Sequence, residues 1–255
     1  VDETPAAEDE TPVLDAVQGA EDTIVGLSNG AVGAAEENGD EEDTGNEPAT
    51  PSTYTILINY VFEDGKQAAP SWSATVAKGS TYAQDIQSPT VVGYTPRDTV
   101  VHVNTSEAKT YIVIYDPAEV SFTVKHYQQN VTNDDYTLVD TETKTGYTES
   151  AVGEKLAKTD YTGFYSLLYD TTTKIASDGS TVVEINYDRY YYLMKFDLDG
   201  GYGVEPIYAR YGTTISVGEP TKPGYEFQGW ETAVPATMPN QAMTIKAKWQ
   251  VTDKA

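Results

Sequence analysis

Thr221-Lys222-Pro223-Gly224-Tyr225-Glu226-Phe227-Gln228-Gly229-Trp230 is the stretch whose reading decides the fold. Pro223 holds its own φ, and Gly224 accepts the positive φ that a tight turn needs. Tyr225 and Phe227 stand two residues apart, which puts both on one face of a strand. Downstream, Ile245, Ala247 and Trp249 alternate with Lys246 and Lys248. Upstream, Tyr192, Met194, Phe196 and Leu198 alternate with Leu193, Lys195 and Asp197. Period-two alternation of this kind predicts short strands with one aromatic-rich face turned inward. Tyr225, Phe227, Trp230 and Trp249 are the expected structural core of this unit.

The same plan stands twice more upstream, so the chain reads as a tandem array. In residues 53–117, Tyr54, Ile56, Ile58 and Tyr60 alternate with Thr55, Leu57 and Asn59. Glu63-Asp64-Gly65-Lys66 is a hairpin signal, followed by a returning strand around Trp72–Ala77. Ser80, ahead of Thr81-Tyr82-Ala83-Gln84-Asp85-Ile86, predicts one or two helical turns that stop before Pro89. In residues 118–190, Val120, Phe122, Val124 and His126 alternate with Ser121, Thr123, Lys125 and Tyr127. Gly153–Lys158 is a second predicted helical turn. Gly163-Phe164 stands where Gly93-Tyr94 and Gly224-Tyr225 stand. From that glycine–aromatic pair to the closing aromatic (Tyr115, Tyr187 or Trp249) the gaps are 21, 23 and 24 residues. The expectation is a mainly β chain with short helices, of α+β class, in units 53–117, 118–190 and 191–250, with 251–255 as the end of the fragment. Junctions of two or three residues, the first stiffened by Pro117, predict an elongated array.

Several spaced elements of residues 191–250 form one pattern. They are the alternating strand that ends near Asp199-Gly200-Gly201, then Tyr211-Gly212-Thr213-Thr214-Ile215, then Pro-Gly-Tyr-x-Phe-x-Gly-Trp at 223–230. Met238-Pro239 and Met243-Thr244-Ile245-x-Ala247-x-Trp249 complete it. This pattern resembles the internalin B-repeat, also called the Listeria–Bacteroides repeat. Residues 53–117 are similar, in their order of elements, to the mucin-binding-protein (MucBP) repeat, and 118–190 to a related bacterial surface-protein repeat. The resemblance implies β-grasp-like modules, in which the first and last strands run parallel and a short helix makes the crossover between them. It also implies a non-catalytic extracellular segment of a bacterial cell-surface or cell-wall protein. That segment acts as a stalk or spacer, or as adhesin modules that recognise a mucin-type glycan or a host surface protein. No enzyme activity and no cofactor go with it, and a monomer is expected.

Composition narrows the classes further. The chain has 255 residues, no Cys and a net charge of −24. Residues 1–52 hold 15 Asp or Glu, no Lys or Arg and no aromatic. A segment of this kind buries too little apolar surface to offset its ordering entropy, so a disordered acidic tail is expected there. Leu14, Val17 and Ile24 within Pro12–Leu27 share a helical face, but Gly19 and Asp22 interrupt it. Nucleic acid is excluded as an expected partner by the absence of a basic patch or tail. No apolar run nears the roughly 20 residues that span a bilayer. No signal peptide opens at Val1, and the chain reads as a mature or excised fragment. Without Cys, neither disulfides nor thiolate metal sites can form. Twenty Tyr against five Phe suits strands whose rings are packed while their hydroxyls stay wet.

Few motifs carry chemistry. Gly200-Gly201-Tyr202-Gly203 follows a strand but opens no helix, so it reads as a turn and not as a phosphate cradle. His102 and His126 fall in different units and lack the further donors a zinc site needs. Asn130, Asn133, Asp134 and Asp135 do not follow a calcium-loop spacing and read as a polar turn. No metal site is expected. Tyr190 and Tyr191, at a junction, are the candidate ligand contacts, because exposed aromatic rings stack on sugars. Lys125 and Asn186 are candidates for an isopeptide cross-link, since they fall on the first and last strands of one unit. Against this, alternation turns Lys125 outward to water.

Overall fold

Alternation sets the first strand. In β1 (Thr53–Phe62), Ile56, Ile58 and Tyr60 are buried and their neighbours are not. The polar turn at Glu63–Lys66 sends the chain back as β2 (Gln67–Ala77), antiparallel to β1 from Thr53↔Ala77 to Val61↔Gln67. β6 (Lys109–Pro117) then runs parallel to β1, from Ile56↔Lys109 to Phe62↔Tyr115. β4 (Tyr94–Pro96) closes the far edge against β6. In this computed structural model, which describes residues 52–252, the resulting sheet order is β2-β1-β6-β4. The expected acidic tail, with the interrupted helical face in 12–27, lies outside the described residues, as do 253–255.

The plan recurs twice. β7 (Glu119–Gln129), β8 (Tyr136–Tyr147), β9 (Phe164–Ser166) and β10 (Val182–Arg189) pair in the order β8-β7-β10-β9, with β7 and β10 parallel. β11 (Tyr191–Asp197), β12 (Ile207–Arg210), β13 (Tyr225–Trp230) and β14 (Met243–Val251) pair as β12-β11-β14-β13, with β11 and β14 parallel. Each four-stranded sheet therefore holds its first and last strands side by side in the centre, as expected.

The crossovers depart from expectation. No helix occurs among the described residues. Tyr82–Gln87 is a strand, β3, paired antiparallel with β5 (Val100–Thr105). Tyr82 and Ile86 lie four residues apart, a spacing that fits a helical face and a strand face alike. Pairing with β5 decides between them, because Val101 and Val103 of β5 belong to the same buried cluster as Ile56, Tyr60 and Tyr115. At 153–158 the amides of Leu156 and Lys158 bond to the hydroxyls of Tyr169 (3.0 Å) and Tyr187 (2.7 Å), not to carbonyls one turn back. A β-grasp needs a helix across its sheet, and these crossovers are loops and a two-stranded ladder. The fold class is corrected accordingly, from α+β to all-β sheets in tandem.

The three cores differ in size. The first gathers Ile56, Ile58, Tyr60, Val101, Val103, Val113 and Tyr115. The second gathers Phe122, Val124, Leu156, Ile175, Val183, Ile185 and Tyr187. The third reduces to Met194, Met238 and Ile245, with Tyr192, Phe196, Ile207 and Trp230 packed around them half-buried.

Candidate functional site

Each sheet ends on the same backbone device. The glycine of the glycine–aromatic pair has positive φ (Gly93 +75°, Gly163 +81°, Gly224 +78°). The following aromatic pairs with the last residue of the final strand: Tyr94↔Pro117, Phe164↔Arg189 and Tyr225↔Val251. The next residue along then donates its amide to the glycine carbonyl. Ala118 bonds to Gly93 at 2.9 Å, Tyr190 to Gly163 at 2.9 Å and Thr252 to Gly224 at 3.1 Å.

At the first two ends the following sheet continues from that residue. The Ala118 carbonyl accepts from Thr148 at 3.0 Å, and the Tyr190 carbonyl accepts from Tyr211 at 2.8 Å. The glycine is then covered. A Cβ at Gly93 would lie 2.5 Å from Ser177, and one at Gly163 would lie 2.3 Å from the Tyr211 ring. These are close approaches that only glycine permits. The Thr148 hydroxyl adds a second bond to the Gly93 carbonyl at 2.8 Å. The junctions are therefore hydrogen-bonded and packed.

The second junction also carries charge. Arg189 donates to the carbonyls of Gln129 (2.7 Å) and Tyr211 (3.0 Å), with its guanidinium 4.6 Å from the Phe164 ring centre. Arg210 donates to the Asn133 carbonyl at 2.7 Å and to the Asp134 carboxylate. The Asn130–Asp135 turn thus serves as a clamp for the next sheet. Tyr190 and Tyr191, the expected ligand contacts, are exposed at this junction. Tyr191 stacks on exposed Tyr208, with centroids 5.3 Å apart, and its hydroxyl accepts from Arg210 at 2.9 Å. Tyr190 packs against Tyr165 at 4.9 Å. These four exposed tyrosines, drawn from two sheets, thus form two aromatic pairs at the junction. Tyr165 and Tyr208 were missed in the sequence, although Tyr208 alternates outward on β12 as its neighbour Ala209 turns in.

A buried polar cluster lies within the second sheet. His126 is wholly buried, with Nδ1 2.9 Å from the Tyr187 hydroxyl. That hydroxyl also accepts the Lys158 amide at 2.7 Å. Nε2 stands 3.8 Å from the Glu142 carboxylate, beyond hydrogen-bond reach. Burial pushes the His126 pKa below its ordinary value, against the pull of Glu142. Glu142 is held down at about 2 by Lys144 and Lys158, each 2.8 Å away. Lys158 also pairs with Asp140 and is held above the usual lysine range. The Tyr161 hydroxyl, edge-on to Tyr187, has no partner among the described residues.

The remaining expected residues are placed as follows. Phe227, Trp230 and Trp249 are half-buried and mutually edge-packed, with Phe227 at 5.2 Å from Trp230 and 5.6 Å from Trp249. Trp249 donates to the Leu198 carbonyl at 3.0 Å. Tyr225 stands outside this group, 40% exposed. Lys125 registers with Glu184, and Asn186 with Tyr127, so the two cross-link candidates are not opposite one another. His102 is exposed and bonds to Asp85 at 2.6 Å. No group of three metal-capable side chains occurs among the described residues, nor does any helix long and apolar enough to cross a membrane.

No family model matches the chain, and no curated protein does. Among solved structures it is similar to the Bacillus anthracis TIE protein, at 8% identity and a TM-score of 0.31, over 78% of this chain and 51% of that one. The chain thus spans about half of that protein's length. It is also similar to Streptococcal High Identity Repeats in Tandem (SHIRT) domains 3-4 from a cell surface protein. There the identity is 12% and the TM-score 0.17, over 54% of this chain and 98% of that one. At such scores neither likeness carries an argument about this chain.

Proposed function

We propose that residues 53–250 form a non-catalytic, monomeric stalk segment of an extracellular bacterial surface protein, made of β modules that space and display what they carry. The observation that carries this reading is the repeated junction. The same amide-to-glycine bond and the same covered glycine tie each sheet to the next, which transmits direction along a chain. The likeness of residues 191–250 to the internalin B-repeat, and of 53–117 to the MucBP repeat, supports a surface location. The parallel central strand pair recurs in all three sheets, as a tandem array of like modules requires. Small-angle scattering on residues 53–250 tests the reading. Three modules in line have a radius of gyration of about 27 Å, against about 17 Å for one compact domain of this length. A value near the lower figure overturns the stalk.

A second reading rests on the exposed stack of Tyr191 on Tyr208 beside Arg210. Paired exposed rings with a fixed donor suit the apolar face of a sugar, so an adhesin recognising mucin-type glycan or a host surface protein is the alternative. Binding on a glycan array that is lost in Tyr191→Ala and Tyr208→Ala favours it. An empty array with the unaltered chain removes it.

A further inference from the structure

Among the described residues, nothing rests on the junction device that ends the third sheet. Gly224 has the same positive φ as Gly93 and Gly163, and Thr252 donates to its carbonyl as Ala118 and Tyr190 do. Yet a Cβ at Gly224 meets no atom within 4 Å, where Gly93 and Gly163 are pressed by Ser177 and Tyr211. The aromatic beside it is also bare. Tyr225 is 40% exposed and its cross-strand partner Val251 62% exposed, while Tyr94 and Phe164 are half-buried at the covered ends. Lys222 lies 4.3 Å from the Tyr225 ring centre, much as Arg189 lies over Phe164.

The two covered junctions define what fits such an end. Each is taken by a module whose opening strand continues from the amide-donating residue. The returning strand of that module then donates an amide to the same residue's carbonyl, Thr148 to Ala118 and Tyr211 to Tyr190. Ser52, at the start of β1, accepts from Lys78 at 2.9 Å in the same way. The opening end of all three modules is therefore alike, and so is the closing end. We propose that the surface formed by Gly224, Tyr225, Val251 and Thr252 is a docking face for one more β module built like these three, entered by a strand that continues from Thr252. The surface is a glycine ledge flanked by an aromatic ring and a cation. It takes the strand-and-turn end of a β module, not a helix or a small molecule. This inference rests on the stalk reading and deepens it.

The test lengthens the full chain by a second copy of residues 191–252 placed after Thr252. Amide exchange at Thr252 and along β14 is compared with the unlengthened protein. Docking slows exchange at Thr252 by about tenfold or more, because opening then requires release of the added module. Asn tolerates the left-handed backbone better than other side-chain-bearing residues, so where space is free it replaces glycine at the least strain. Gly224→Asn therefore leaves Thr252 exchange unaltered in the unlengthened protein and cancels the slowing in the lengthened one. Unchanged Thr252 exchange on lengthening overturns the proposal, as does full slowing in the lengthened Gly224→Asn variant. The stalk reading is judged separately at Gly163. If Gly163→Asn speeds Tyr190 exchange in the unlengthened chain while lengthening does nothing at Thr252, the docking face alone falls.

Discussion

The first and second modules hold the same core position with different chemistry. In the first, Tyr60 and Tyr115 meet edge to face at 6.3 Å, and Tyr115 donates to the Pro89 carbonyl at 2.5 Å. In the second, His126 and Tyr187 take those places at 5.8 Å, and the Tyr187 hydroxyl serves both the Lys158 amide and His126. An apolar contact with one peripheral hydroxyl has become a small buried network. The first module's seal is insensitive to pH in the physiological range, because tyrosine ionises only far above it. The second module's seal contains a titratable ring with an unpaired nitrogen. The same backbone plan thus seals one module with two tyrosines and the other with a tyrosine and a buried histidine.

Removing the ring altogether has the largest effect and treats both modules alike. Tyr115→Ala and Tyr187→Ala each lose about 3–5 kcal/mol through the cavity left in a fully buried site. Residue-resolved amide exchange shows loss of protection in β1 and β6 for the first variant, and in β7 and β10 for the second. Equal, global loss in both would break the view that the modules have separate cores.

Removing only the hydroxyl separates them. Tyr115→Phe gives up one bond to a carbonyl, about 1 kcal/mol. Tyr187→Phe strands a partly buried amide and a buried imidazole nitrogen together, so its cost lies toward the upper end of the roughly 1–3 kcal/mol for an unsatisfied group. Denaturant melts of the two variants that coincide would remove the distinction.

The pH dependence is smaller and confined to the second module. Burial depresses the folded-state pKa of His126, so the folded state binds fewer protons than the unfolded one. Its contribution is complete above the unfolded value of about 6.5 and declines as pH falls, by at most about 1.4 kcal/mol per unit, until the folded pKa is passed. The groups facing the ring, Glu142, Lys158, Asp140, Tyr161 and Tyr187, do not change charge between pH 7 and 5. Below that range Glu142 adds a second loss, since its folded value of about 2 lies under its ordinary one. Exchange protection of β7 and β10 at pH 7, 6 and 5 measures the slope. His126→Phe flattens it, and β1 and β6 show none.

The smallest expected change is at the exposed tyrosines. Tyr191→Ala and Tyr208→Ala shift stability by no more than about 0.5 kcal/mol, because both rings are open to water. A thermal melt checks this. A larger loss would make the stack a structural part of the second junction and weaken the adhesin reading.

Sequence alone marked the central strands of each sheet. Ile56-x-Ile58-x-Tyr60, Phe122-x-Val124-x-His126 and Ile245-x-Ala247-x-Trp249 announce their buried faces, because side chains alternate with a period of two whatever surrounds them. The parallel pairing of first and last strands was what the resemblance to surface-protein repeats implied, and the long connection between them allows it. The glycine–aromatic pairs were visible as a repeat, and Tyr190 and Tyr191 as a junction. Tertiary structure decided the rest. Where a helix was expected over 80–86, Tyr82–Gln87 became a strand because β5 offered a ladder, and a spacing of four cannot separate the two periods. The third core settled on Met194, Met238 and Ile245, since Tyr225 sits at a sheet end that its neighbours do not reach. His126 became a network member only through Tyr187 and Lys158, which are distant in the chain. Why Gly93 and Gly163 must be glycine was likewise invisible, because Ser177 and Tyr211 press on them from the following module. Local periodicity is written in the covalent chain; a close approach between two modules exists only once both have folded.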